Sequence, residues 1–265
     1  MRISIPFLLL ATHLATGMLL LLLTVSPQVQ PNFFRFCALL AAGLLALTLP
    51  IRYQPGVFDP MSFVAPAGAV VLLLLYVWML RTGRAGAARQ ALMLASLLAV
   101  VTTGLDMAAL RRLTIFPRPD PLLYLNFFLS SLVLGSSMMA MLIGHWYVMD
   151  THMSIAHLKK LSTLYTWSVA GRLLLALGVL GYYWAPGERP EMVWQLVDPL
   201  RQGFFFWFRV AVGLVAPLVL AFLVARTVRM RSTLSATGLL YVAVIFVLFG
   251  ELLSKYLLTT AYIPV

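Results

Sequence analysis

Residues 62–80 read SFVAPAGAVVLLLLYVWML, a run of 19 residues without a charged side chain. A helix rises about 1.5 Å per residue, so this stretch is long enough to cross the roughly 30 Å hydrocarbon core of a bilayer. Working outward, seven further runs have the same character: 4–25, 33–50, 90–110, 122–149, 161–184, 204–227 and 236–259. Of the 265 residues, 62% are hydrophobic and 10% charged, against roughly 45–50% and about 25% in an average soluble domain. A soluble globular domain and a disordered chain are excluded. The segments of an outer-membrane barrel alternate apolar and polar residues, and would not raise the apolar share this far. The expected fold is all-α and polytopic, with eight transmembrane helices in one integral membrane domain, 1–265. The first run, after Met1-Arg2, is too long for a signal peptide and reads as the first span.

The 19 Lys and Arg against 8 Asp and Glu give a formal charge of +11. Most of the basic residues fall between apolar runs, where positive charge sets membrane orientation. Membrane lipid is therefore the expected surroundings, and no nucleic-acid partner is expected. Arg35, Arg81, Arg84, Arg89, Lys159, Lys160, Arg226, Arg229 and Arg231 fall on one side, with Asp150 the one acid nearby. Arg2, Arg52, Arg111, Arg112, Arg118, Arg189 and Arg201 fall on the other, with Asp59, Asp120, Glu188, Glu191 and Asp198. The tighter clustering of the first set makes it the inner side. Eight spans then put both termini outside, periplasmic in a bacterial inner membrane. The connection around 185–203 is the longest and holds Pro186, Gly187, Pro190 and Pro199, with Trp184 and Trp194 as expected interfacial anchors.

One internal correspondence is visible. Arg81-x-x-Arg84 is followed 25 residues after Arg81 by Asp106, and Arg226-x-x-Arg229 is followed 25 residues after Arg226 by Glu251, all at an offset of 145. Intramembrane acids are rare, so spans three and four read as related to spans seven and eight. Four spans being an even number, the repeat is parallel, with halves 1–120 and 121–265. Ser136, Ala140 and Gly144 form a small-residue stripe on span five, suited to close helix packing.

Ionisable groups inside a bilayer cost at least about 2.5–3.5 kcal/mol at the centre on insertion scales and mark sites or salt bridges. His13 lies about nine residues into span one, roughly 13 Å deep, with Gly17 one turn on, leaving room for a flat ring. Asp106 and Glu251 come late in spans four and eight, and Lys255 is placed to pair with Glu251 at i+4. Arg209 enters early in span seven. With the termini outside, His13, Asp106, Arg209, Glu251 and Lys255 all lie in the outer half. They read as a site for a polar-headed lipophilic ligand that exchanges protons, or as structural salt bridges. Arg172, midway along span six, needs an acidic or carbonyl partner that the sequence does not name. His145 and Asp150, with His152, form a second group at the inner end of span five. A proton relay and an interfacial belt with Trp146 and Tyr147 are its two readings.

Cys37 is the only cysteine, so this chain builds no disulfide, iron–sulfur cluster or multi-cysteine zinc site, and no metal ligands are expected. Three of the four histidines, His145, His152 and His157, crowd one membrane edge. Two stacked bis-histidine haems do not fit that distribution, and no haem is expected. No Walker motif and no His-x-x-x-His occurs.

Gly250-Glu251-Leu252-Leu253-Ser254-Lys255-Tyr256 resembles the Gly-Glu-x-x-x-Arg-Tyr pattern in the last span of dimethyl sulfoxide reductase anchors, with Lys255 in place of the arginine. His13 and Gly17 are similar in placement. The resemblance is to the polytopic membrane anchors of bacterial molybdopterin and iron–sulfur oxidoreductases. It implies a quinone (menaquinone or ubiquinone) site in the outer half and a partner iron–sulfur or cytochrome subunit carrying the redox centres. On that reading the chain is a subunit of an oxidoreductase complex and not an enzyme alone. His13 and Asp106 would exchange protons at the ring, while Arg209, Glu251 and Lys255 shape the pocket. The rival readings are a secondary transporter and a structural or assembly subunit. Pro217 could kink span seven, but its counterpart at the repeat offset is Leu72, so the paired helix breaks of many transporters are missing.

Overall fold

The computed structural model describes residues 4–53, 61–113, 121–150, 153–185 and 190–264. Arg2, Asp59, Arg118, Asp120, His152, Pro186, Gly187, Glu188 and Arg189, and the side chains of Arg111 and Arg112, lie outside what is described. Among the described residues there is no strand. The chain is an all-α polytopic membrane protein, with eight helical segments long and apolar enough to cross a membrane.

The helices are α1 Ser4–Leu22, α2 Pro31–Arg52, α3 Met61–Arg81, α4 Ala85–Leu113, α5 Pro121–Met149, α6 Ile155–Trp184, α7 Pro190–Val197, α8 Phe204–Val210, α9 Ala216–Arg229 and α10 Thr233–Thr260. Hydropathy locates the hydrocarbon-crossing part of a helix and not its ends. Lys159 and Lys160 accordingly lie in the first turns of α6, where Ser154 caps the helix by accepting from the Ala156 amide at 3.3 Å. Arg89 likewise lies inside α4 and not in a loop. Residues 23–25 are turn and not helix, with Thr24 Oγ1 donating back to the Leu21 carbonyl at 2.8 Å.

Two expectations change in the second half. The connection around 185–203 holds structure of its own: α7 and a π-helical turn, Pro199–Gly203. Val193 and Leu196 of α7 are buried with Leu175, Val179, Tyr183, Phe206, Leu257 and Ile263. Trp184 and Trp194 pack with ring centroids 5.0 Å apart and planes tilted by 46°, each about half exposed. The seventh span is not one α-helix either. It runs through α8, a π-helical stretch at Ala211–Val215, and α9. The break comes just before Pro217, whose ring and missing N–H disturb the preceding turn.

The chain divides into two compact units, Met1–Leu113 and Thr114–Val265. In the first, α1 packs on α2 and α4, and α3 packs on α2 and α4, closing a ring of four helices. In the second, α5 packs on α6 and α10, and α9 packs on α6 and α10, with α8 and the π-helical stretch also against α10. The stripe on α5 is buried: Ser136 and Ala140 are fully inside, and a Cβ on Gly144 would meet Thr237 Oγ1 at 2.8 Å. Small residues at these positions let α5 and α10 approach.

Candidate functional site

Buried charge is concentrated in two clusters, one in each unit, and each is built on an acid from the last helix of its unit. In the first unit Asp106 of α4 meets Arg52, the last residue of α2. Arg52 Nη1 donates to Asp106 Oδ1 and Nη2 to Oδ2 at 2.7 Å, the fork geometry of a bidentate pair. Arg52 also donates to Thr12 Oγ1 at 2.9 Å, Thr48 Oγ1 at 3.2 Å and the Ser62 carbonyl at 3.4 Å. That carbonyl is the one Pro66, four residues on in α3, has no N–H to serve. Arg52 and Asp106 are 3% and 1% exposed. Among the described residues one cation faces one carboxylate, so the cluster is balanced.

His13 follows Thr12 on α1 and is buried, as is Gly17. His13 and Asp106 therefore belong to the first unit, while Arg209, Glu251 and Lys255 belong to the second.

In the second unit Glu251 of α10 is the hub. Arg172 of α6 donates from Nε to Glu251 Oε1 at 2.8 Å and from Nη2 to Oε2 at 3.3 Å, and also from Nη2 to Ser254 Oγ at 2.8 Å. Arg209 of α8 donates from Nη2 to Oε1 at 2.9 Å. Lys255 reaches Oε2 at 3.2 Å, the expected i+4 pair. Ser130 of α5 links the last two: Lys255 Nζ donates to Ser130 Oγ at 2.6 Å, and that hydroxyl donates to Oε2 at 2.6 Å. Arg172, Arg209, Glu251 and Lys255 are each 3% exposed or less. Three cations thus face one carboxylate. Two guanidinium nitrogens, Arg172 Nη1 and Arg209 Nε, are buried without a hydrogen-bond partner, although buried donors are normally satisfied.

The local sequence explains how Arg209 comes to sit there. Pro217 cannot serve the Gly213 carbonyl, and Arg209 Nη1 takes that carbonyl at 2.7 Å. Gly213 lies directly on Gly250, the residue before Glu251, and a Cβ on either would overlap the other's Cα. The two glycines bring the π-helical stretch onto α10 and leave the guanidinium a path past both backbones.

The structure therefore brings Arg209, Glu251 and Lys255 together and adds Arg172, Ser130 and Ser254. It gives Asp106 the partner Arg52, which the sequence placed among the loop charges. Arg172 carried a signal, an arginine in mid-span, but not the identity of its acid. His145 is exposed, with Nδ1 2.8 Å from the Tyr241 hydroxyl. α5 ends at Met149, with Asp150 just beyond it, and His152, the other member of that group, lies outside the described residues. Among the described residues no group of three His, Cys, Asp or Glu could hold a metal ion.

The chain matches no family model, and no curated protein or solved structure is similar enough to name as a relative.

Proposed function

We propose that the chain is the membrane subunit of an electron-transfer complex and that it holds the head of a quinone or quinol at the Glu251 cluster. The observation that carries this reading is the imbalance of that cluster: three buried cations, one carboxylate, and two guanidinium nitrogens, Arg172 Nη1 and Arg209 Nε, without a hydrogen-bond acceptor. A quinone head offers carbonyl oxygens as acceptors, and its chemistry is the uptake or release of electrons with protons. The residues present fit it. Arg172 Nη1 and Arg209 Nε supply donors in a water-poor interior, where such groups act most strongly. Lys255, Ser130 and Glu251 form a hydrogen-bonded chain along which a proton can be held or passed.

Proton exchange falls to Lys255, which donates to Ser130 Oγ, since both oxygens of Asp106 are taken by Arg52 and both of Glu251 by Arg172, Arg209, Lys255 and Ser130. Electrons pass to or from an iron–sulfur or cytochrome subunit, since the chain has one cysteine and no metal cluster among its described residues. The charge pattern of the loops supports a bacterial inner membrane with both termini periplasmic and the Glu251 cluster in the outer half.

The test is purification in mild detergent, with mass spectrometry of co-purifying subunits and of extracted quinone. A redox subunit together with quinone is expected. A lone, quinone-free protein contradicts the proposal and favours a transporter or an assembly subunit.

A further inference from the structure

The two units repeat one another in how their polar interiors are built. In each, an acid on the fourth spanning helix takes an arginine from the second, and a hydroxyl from the first completes the group. Thr12, Arg52 and Asp106 do this in the first unit, and Ser130, Arg172 and Glu251 in the second. The sequence offsets are 118 for Thr12 and Ser130, 120 for Arg52 and Arg172, and 145 for Asp106 and Glu251. The change from about 120 to 145 falls between the second and third spans. There α6 continues twelve residues past Arg172 and is followed by α7, whereas α2 ends at Arg52. Other positions obey the same offsets. Gly17 corresponds to Gly135 at 118, Thr48 to Ser168 at 120, and Gly68 to Gly213, Arg81 to Arg226 and Arg84 to Arg229 at 145.

The differences are then informative. At the offset of 145, Arg209 corresponds to Val64, Ser254 to Ala109, Lys255 to Leu110 and Pro217 to Leu72. The shared parts form a neutral arginine–carboxylate pair. What the second unit adds is two cations, a hydroxyl, and the proline that leaves Arg209 a carbonyl to hold. A buried pair that holds helices together needs no further positive charge, and each extra buried cation is costly without a counterpart.

We infer that the chain carries an internal duplication in which the arginine–carboxylate pair is the structural element of both halves. Arg209 and Lys255 are then recognition residues acquired by the second half, for a ligand that presents an anionic or strongly accepting oxygen. The ligand part of this inference deepens the quinone proposal and rests on it; the division between structural and recognition residues does not.

The experiment replaces the added cations with the residues at the corresponding positions of the first unit, Arg209→Val together with Lys255→Leu, in the full chain. Thermal unfolding and quinone extracted per chain are read beside Arg172→Gln and Glu251→Gln. The double variant is expected to reach the wild-type folded yield and melt within a few degrees of it, while bound quinone falls at least about tenfold, as the loss of charged hydrogen bonds implies. Arg172→Gln and Glu251→Gln are expected to lose most of the folded protein. Retention of quinone by the double variant overturns the recognition role and leaves the quinone proposal standing. A double variant as unstable as Arg172→Gln overturns the division of roles. If wild-type protein holds no quinone, the quinone proposal fails by itself, and the stability comparison still decides the division. The single variants Arg209→Val and Lys255→Leu give the same comparison if the double variant yields too little protein.

Discussion

Arg209 holds the carbonyl oxygen of Gly213 at 2.7 Å, four residues along its own span. Pro217 has no N–H to offer that carbonyl, so a buried arginine takes the place of a helix hydrogen bond. Arg52 does the same in the first unit for Ser62, ahead of Pro66. In both units a proline inside a span thus helps to fix the arginine that meets the buried acid. The arrangement couples backbone irregularity to charge placement, and several outcomes depend on it.

Pro217→Ala supplies an N–H that competes with Arg209 for the Gly213 carbonyl. Removing a helix-interior proline gains up to about 3 kcal/mol, and losing a charged hydrogen bond costs about 1.5–3 kcal/mol. The melting temperature is therefore expected to move little, while bound quinone falls several-fold. Thermal unfolding and quinone extraction on the same preparation check both halves.

Gly213→Ala and Gly250→Ala each place a methyl group inside the partner helix backbone. Overpacking of this kind costs about 1–3 kcal/mol or more, and both variants are expected to melt lower. Gly178 and Gly181 of α6 have nothing within 4 Å of an added Cβ. There the change to Ala gains about 0.5–1 kcal/mol of helix preference. A higher or unchanged melting temperature for those two, beside a fall for the first two, is the expected pattern.

Asp106→Asn leaves Arg52 buried without its counter-charge, a loss of about 3–5 kcal/mol when one partner of a buried pair is removed. Replacing both, Arg52→Met with Asp106→Leu, is expected to recover most of it. A double-mutant cycle on thermal unfolding in detergent reads the coupling. Near-additive losses would show that the pair does not hold α2 to α4.

Tyr241→Phe removes the hydroxyl from His145 at an exposed site. Surface changes of this kind usually stay within about 0.5 kcal/mol, and no loss of bound quinone is expected. A large loss of quinone would favour the relay reading of His145.

The fold was legible because length and apolarity alone decide a membrane span, and all eight runs became helical spans. Span ends were less legible, since Lys159, Lys160 and Arg89 continue helices beyond the apolar stretch. Within the site, Glu251 and Lys255 could be paired because i+4 spacing fixes them on one face. Arg172 and Arg52 could not be assigned their acids, because the contact is made between helices and no spacing along the chain encodes it. Arg52 was further hidden by lying at a helix end, where an arginine ordinarily reports orientation. Pro217 was visible as a break, but its consequence, a carbonyl held by Arg209, depended on α8 and α10 lying together at Gly213 and Gly250.

The most direct test of the central claim is photolabelling of the purified full-length protein with an azido-quinone, followed by mapping of the labelled residues. Label on the segments around Arg209–Gly213 and Gly250–Lys255, displaced by excess unlabelled quinone and lost in Arg209→Val with Lys255→Leu, is the predicted result. Label confined to other segments, or unaffected by excess quinone, would contradict a quinone site at Glu251.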